Sequence, residues 1–228
     1  MASGEMSRAE FAAFLTNAFR NLAAHTIDGG IAFVCGDWRH LREYLDAGEA
    51  AFSELKNLIV GDKLVGGMGS FYRSRYELIF AFKSGTAPHA NNFELGQHGR
   101  YRTNVWPHRG FNSFGAGRDE ALASHPTVKP VSLIADAIKD VSTRRAIVLD
   151  LFGGSGSTLI AAHKIGRRAR LCEIDAAYCD VIVRRFEAFA KDEAVLEGTG
   201  GTFAQRAAKS TQIASGEASE RTSDEPNQ

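Results

Sequence analysis

Gly153, Gly154 and Gly156 stand where an apolar stretch gives way to a helical pattern, in the passage Ile147-Val148-Leu149-Asp150-Leu151-Phe152-Gly153-Gly154-Ser155-Gly156-Ser157. Glycine lets the backbone approach a ligand where a side chain would collide. A helix N-terminus placed after it offers free amides. Glu173 follows Asp150 by 23 residues, at the end of the next strand-like run. A carboxylate in that place can accept two hydrogen bonds from ribose hydroxyls, as in nucleotide-binding βαβ units. A tight turn that binds nothing is the plainer reading. The strand, the glycines, the helix and the acid all agree, however, and together they favour a nucleotide site. The turn is no Walker loop, because no Gly-Lys-Ser/Thr closes it, and its GGxG spacing departs from the GxGxxG of NAD proteins.

The elements that must position this turn are legible from periodicity. Ser7 and Glu10 form a capping-box pattern, and Phe11, Phe14, Leu15, Ala18, Phe19 and Leu22 continue as one apolar stripe of a helix. Strands are expected at 31–35, 55–60, 76–82, 146–151 and 168–174, with helices at 38–51, 128–141, 157–165 and 176–190. Residues 84–125 show no sustained period, and long loops of that kind are usually functional. From Lys191 the composition turns to Ala, Gly, Ser, Thr and acid, which predicts a disordered tail over 191–228.

Composition narrows the class. The 228 residues are 44% apolar and 24% charged, with formal net charge +0. That is globular composition, with no apolar run long enough for a membrane span. The charge is uneven: −3 over residues 1–69, +3 over 70–125, +3 over 126–190 and −3 over 191–228. Neutrality therefore does not exclude a polyanionic partner. Three cysteines without a CxxC pair argue against a disulfide framework and suit a reducing cytoplasm. No pair of histidines stands at ligand spacing with a carboxylate, so no metal is expected.

The segment Asp150-Leu151-Phe152-Gly153-Gly154-Ser155-Gly156 resembles the S-adenosylmethionine motif of DNA amino-methyltransferases. His125-Pro126-Thr127-Val128-Lys129-Pro130 resembles the same family's HPTxKP segment. Glu173-Ile174-Asp175 with Tyr178, and Arg184-Arg185-Phe186, resemble the stretches that follow. Their order matches the permuted β-group, with the catalytic half before the cofactor half, and the resemblance covers about residues 1–190. It implies an α/β fold with a Rossmann-like, mostly parallel sheet and one antiparallel strand at Tyr76–Phe82. Residues 1–83 would form the catalytic half, 84–124 a target-recognition loop region and 125–190 the cofactor half. It implies S-adenosylmethionine as cofactor, double-stranded DNA as partner and an exocyclic amine, adenine before cytosine, as methyl acceptor. Phe152, Gly153, Gly154, Ser155 and Gly156 would surround the methionine part and Asp150 would sit at the base of the pocket. Glu173 would hold the ribose, and Thr127 and Lys129 would approach the amino-acid end. For Lys129, a solvated charge at a helix start is the alternative. An NAD-dependent oxidoreductase is the rival class, disfavoured by GGxG and HPTxKP.

Ser70, Tyr72, Arg73, Arg75, Arg100, Arg102, Arg109 and Arg118, with Phe71, Tyr101, Trp106, His108 and Phe111 interleaved, are the DNA-facing candidates. Arginine among aromatics suits phosphate contact and base-edge reading, whereas a surface charge cluster is the bland alternative.

The family's catalytic Asp/Asn/Ser-Pro-Pro-aromatic motif is absent. The five prolines are Pro88, Pro107, Pro126, Pro130 and Pro226, and no two are adjacent. In the permuted order the motif belongs just before residue 1, so the chain reads as N-terminally shortened. Asp37-Trp38 is its nearest mimic and reads instead as scaffold or base-pocket wall. Gly61 stands where relatives carry tryptophan. Without the motif's strand, the edges at 31–35 and 146–151 are expected to lose their common partner.

Overall fold

The computed structural model describes residues 6–67, 71–97, 101–108 and 129–209. The sequence candidates Ser70, Arg100, Arg109, Phe111, Arg118 and Thr127 lie outside the described residues.

Helix α1 spans Arg8–Ala24, and its cap is the one the sequence pattern implies. Ser7 Oγ accepts from the Glu10 amide at 3.3 Å, and Glu10 Oε2 accepts from the Ser7 amide at 2.8 Å. Strand β1 (Ile31–Gly36) leads through a short 3₁₀ turn at Trp38–His40 into α2 (Leu41–Ala51). Asp37 caps that turn, its Oδ1 accepting from the Arg39 amide at 2.8 Å. Strands β2 (Glu54–Asp62) and β3 (Tyr76–Lys83) form a hairpin, and the short β4 is Val105–Pro107. There follow α3 (Val131–Val141), β5 (Ile147–Asp150), α4 (Ser157–Lys164), β6 (Arg168–Leu171) and α5 (Ala176–Ala190).

The first sheet has the order β1-β3-β2-β4. Strand β3 is antiparallel to β1 and to β2, while β2 and β4 are parallel. Strands β1, β2 and β4 therefore share one direction, and β3 opposes them because a hairpin feeds it directly from β2. Leu78 to Phe82 are all buried, as a strand covered on both faces requires. Leu78, Phe80 and Phe82 face α1 and α2, in a core with Leu15, Phe19, Ala47 and Phe52. Ile79 and Ala81 face the other way, toward Ile59, Trp106 and Ala137.

The second sheet is the parallel pair β5-β6. Among the described residues no ladder joins it to the first sheet. One mostly parallel sheet is thus not what the described strands form: they make two sheets, and two of the four ladders are antiparallel. Among the described residues one edge of β5 has no partner, and Ile147 at its start is 58% exposed.

Three further expectations change. The aperiodic stretch contributes β4, which pairs with β2 from Val60↔Val105 to Asp62↔Pro107. Three residues carry too little periodicity to read, and Pro107 marks an edge position. Trp106, expected to face DNA, is a core residue at 6% exposure, its indole donating to the Thr103 carbonyl at 3.0 Å. In the expected tail, Val195 bridges Thr202 and residues 203–209 are helical. Residues 210–228 lie outside the described residues.

Gly48 in α2 lies against the ring of Phe82, which is fully buried and stacked on Phe52 at 5.3 Å and 8°. A mid-helix Gly→Ala change ordinarily adds about 1 kcal/mol of stability. Here the new methyl would meet a ring that cannot move, and overpacking of that kind costs about 1–3 kcal/mol. Gly48→Ala should therefore destabilise the fold, read as a lower urea midpoint. A raised midpoint would show that the aromatic stack yields.

Candidate functional site

Strand β5 delivers Asp150 to the start of the glycine turn. Its Oδ1 accepts from the Phe152 amide at 2.9 Å and its Oδ2 from Thr158 Oγ1 at 2.6 Å. Asp150 thus braces the turn from strand end to helix start. Burial raises its pKa, opposed by the Thr158 and Phe152 hydrogen bonds and reinforced by the charge of Glu173.

The three glycines have different duties. A Cβ on Gly153 would stand 3.0 Å from Ile182 Cδ1 and 3.2 Å from the Cys172 carbonyl, to which the Gly153 amide donates at 2.8 Å. Gly156 (φ 77°) caps α4, and its missing Cβ leaves room for Ile182. These two glycines serve close packing of protein on protein. Gly154 (φ 50°) is the one whose amide meets the ribose-type acid. Ser155 is 5% exposed, with its Oγ 3.4 Å from Ser157 Oγ, and its carbonyl accepts from Arg185 Nη1. Its side chain is turned into the protein. Phe152 is 55% exposed and its ring lies 5.9 Å from that of Phe14.

Glu173 points at the turn. Its Oε2 accepts from the Gly154 amide at 2.7 Å, and its Oε1 from the amides of Ile174 and Asp175 at 2.9 and 3.0 Å. A carboxylate has about four acceptor positions, so three are already engaged with backbone. Ile174, beside it, is fully exposed, a flat apolar surface that sequence reasoning did not single out. An isoleucine directly after the acid at a strand end was the available signal.

Lys129 leads into α3 and its Nζ donates to Glu77 Oε1 on β3 at 2.9 Å. It is paired and mostly covered, so the alternative of a solvated charge at the helix start does not hold. Nothing in the sequence marked Glu77 as its partner. Burial pulls the Lys129 pKa down, but the charge of Glu77, the Cys35 thiol and the hydrogen bond to Glu77 carry it above its ordinary value. Burial pushes the Cys35 thiol on β1 up to about 11, and the charges of Lys129, Glu77 and Asp150 all register there. The end of β1 and the start of the glycine turn are therefore electrostatic neighbours.

The described DNA-facing candidates separate. Arg75 is held by Asp62 in a two-pronged ion pair, both distances 2.7 Å. Arg73 donates to the carbonyls of Gly66 and Gly67 at 2.8 and 3.2 Å. Arg102 lies 4.6 Å over the Trp106 ring and 3.1 Å from Asp140 Oδ2. Each of these guanidinium groups has an intramolecular partner, while Arg73 and Arg75 stay exposed at the surface. Tyr72 is 80% exposed and remains open to a partner.

Because the folded-state pKa of Lys129 is raised, its contribution to stability is complete below 10.5 and is lost as pH climbs through the higher folded value. Glu77→Gln should cost about 1 kcal/mol near neutral pH, the partly screened loss of a half-buried partner. It should also shrink the alkaline loss of stability. Urea unfolding across the alkaline range checks both, and an unchanged alkaline limb would dismiss the pair.

Similarity to known proteins converges on one group. A family model described as DNA methylase, N6_N4_Mtase, matches residues 2–184. The type II methyltransferase M.ScaI of Streptomyces caespitosus is 34% identical over 93 residues, which are 41% of this chain and 31% of that enzyme. The chain spans about a third or less of the curated relatives it matches. Among solved structures, the M1.HpyAVI–SAM complex shares the fold with a TM-score of 0.62 at 20% identity, covering 75% of this chain and 81% of that one. The cytosine-N4-specific PvuII DNA methyltransferase does so with a TM-score of 0.66 at 15% identity, covering 82% and 74%. With the match running through the glycine turn, Glu173 and most of α5, the chain belongs to the N6_N4_Mtase family of DNA methylases.

Proposed function

We propose that the glycine turn of this chain holds S-adenosylmethionine, and that the chemistry the fold serves is methyl transfer to an exocyclic amine of DNA. The observation that carries this reading is Glu173, aimed at the Gly154 amide with one acceptor position left over. A ribose hydroxyl would take that position, and a second would share or displace one backbone amide. Exposed Phe152 and Ile174 offer apolar walls on either side. Gly154 leaves the backbone bare between them, and the buried brace Asp150–Thr158 keeps the turn from collapsing. Thr127 and Lys129 remain our candidates for the amino-acid end.

S-adenosylmethionine supplies a methyl group on a sulfonium centre. This chain's residues then have to exclude water and aim an amine whose lone pair is delocalised into its ring. The acid-Pro-Pro-aromatic motif that does this in the family has no counterpart among five isolated prolines. We therefore read residues 1–228, taken alone, as cofactor-binding and impaired in transfer. A non-catalytic remnant that binds cofactor or DNA is the second reading, favoured by that missing motif and by the edges of β1 and β5, which have no partner among the described residues. As methyl acceptor we favour the adenine 6-amino group over the cytosine 4-amino group.

Calorimetric titration tests the cofactor reading. S-adenosylmethionine should bind and NAD should not, and Glu173→Ala should weaken binding by about 1–3 kcal/mol, the cost of unpaired polar partners. Binding of NAD alone would end the assignment. Incubation of residues 1–228 with tritiated S-adenosylmethionine and mixed-sequence DNA should leave the DNA unlabelled. Label recovered as methylated adenine or cytosine would expose a catalytic group outside the motif and decide the target base.

A further inference from the structure

We infer that the aromatic pair Phe71–Tyr72, at the outer end of the β2–β3 hairpin, is a wedge that enters duplex DNA between stacked bases. The inference rests on the DNA reading above and gives this segment a role other than phosphate contact.

The hairpin continues past the end of β2 as a braced arm. The Lys63 amide donates to the Arg75 carbonyl at 2.8 Å and the Gly67 amide to the Ser74 carbonyl at 2.7 Å. Arg75 clamps Asp62, and Arg73 closes on the carbonyls of Gly66 and Gly67. Both arginines that follow the aromatics thus spend two of their five N–H donors within the arm. What the arm presents outward is apolar: Phe71 is 86% exposed and Tyr72 is 80% exposed, their rings edge to face at 4.4 Å. Val65 beside them is 53% exposed. The arm thus carries two bare rings ahead of arginines already partly engaged at its base. It is well made for insertion between bases, where stacking needs only a flat face.

The foot of the same arm points to DNA as the occupant. Asp37, Trp38, Lys63, Tyr76 and Glu77 are among the residues that line a pocket there. Trp38 and Tyr76 keep 54% and 41% of their surface exposed, beside the carboxylates of Asp37 and Glu77 and the ammonium of Lys63. Aromatic faces among a few polar groups are the chemistry of a planar heterocycle. Work on a base amine requires the base to leave its stack, and a wedge fills the space it vacates. The charge balance of +3 over residues 70–125, to which the pair belongs, suits a polyanion.

The test uses the full chain, a labelled mixed-sequence duplex and a closed circular plasmid relaxed by topoisomerase. Wild type should bind the duplex and leave the plasmid unwound. The Phe71→Ala/Tyr72→Ala variant should bind about ten- to hundred-fold more weakly, with an unchanged salt slope and no unwinding. Its melting temperature should match wild type because both rings are exposed. The single variants Phe71→Ala and Tyr72→Ala serve if the double variant does not fold, and Phe71→Trp/Tyr72→Trp should retain unwinding. A double-alanine variant that binds and unwinds like wild type overturns the wedge and leaves the DNA reading standing. A salt slope that falls with the aromatics also overturns it, by making the contact electrostatic. No duplex binding by wild type at low salt would instead sink the DNA reading itself, and the wedge with it.

Discussion

Helix α3 joins two sheets that share no hydrogen-bonded ladder among the described residues. Leu133 and Ala137 pack with Ile59, Ile79, Ala81 and Trp106 of the first sheet's core. Ala135 and Ile138 pack with Ala161 and Ala162 of α4, close to Val148 and Ala169 of the second sheet. Just before the helix, Lys129 adds an ion pair to Glu77 of β3. A β-ladder fixes register through directional bonds, whereas apolar packing is non-directional and sets position by shape alone. The placement of the glycine turn relative to the end of β1 thus depends on how α3 seats in two cores at once. Methyl transfer needs its partners aligned to within a fraction of an ångström. A joint made by packing is adequate for holding a cofactor and is a weak basis for that alignment, which agrees with our reading of residues 1–228.

Within the second sheet the carboxylates do the positioning. Asp150 ties the end of β5 to the first turn of α4, and Glu173 ties the end of β6 to the turn between them. Each acid satisfies backbone amides that a bare turn would leave without partners. Glu173 is therefore structural, with one acceptor position to spare. On our proposal, a cofactor taking that position would bind to a turn already shaped by the same group.

How much of this was legible in the sequence depended on the range of the interactions. The capping box at Ser7 and Glu10, the stripe of α1 and the glycine turn are local, and periodicity exposed all of them. β3 was legible as a strand because an unbroken apolar run must be covered on both faces. Glu77 as the partner of Lys129 was not, since 52 residues separate them and nothing local marks the pair. Trp106 misled, and the described arginines stayed ambiguous, for one reason: aromatic and cationic residues in an aperiodic stretch look the same whether they face a ligand or each other. Arg102 over Trp106, Arg75 on Asp62 and Arg73 on two carbonyls are intramolecular solutions that composition cannot distinguish from a nucleic-acid surface. Gly153 and Gly156 carry the same lesson, since the side chain they make room for is Ile182.

The most direct test of the account is an amide-resolved NMR titration of the chain with S-adenosylmethionine. The three donors to Glu173, the amides of Gly154, Ile174 and Asp175, should show the largest shifts, since the ligand enters the hydrogen-bond set they share. Saturable binding that leaves those three amides unmoved would place the cofactor elsewhere and contradict the account.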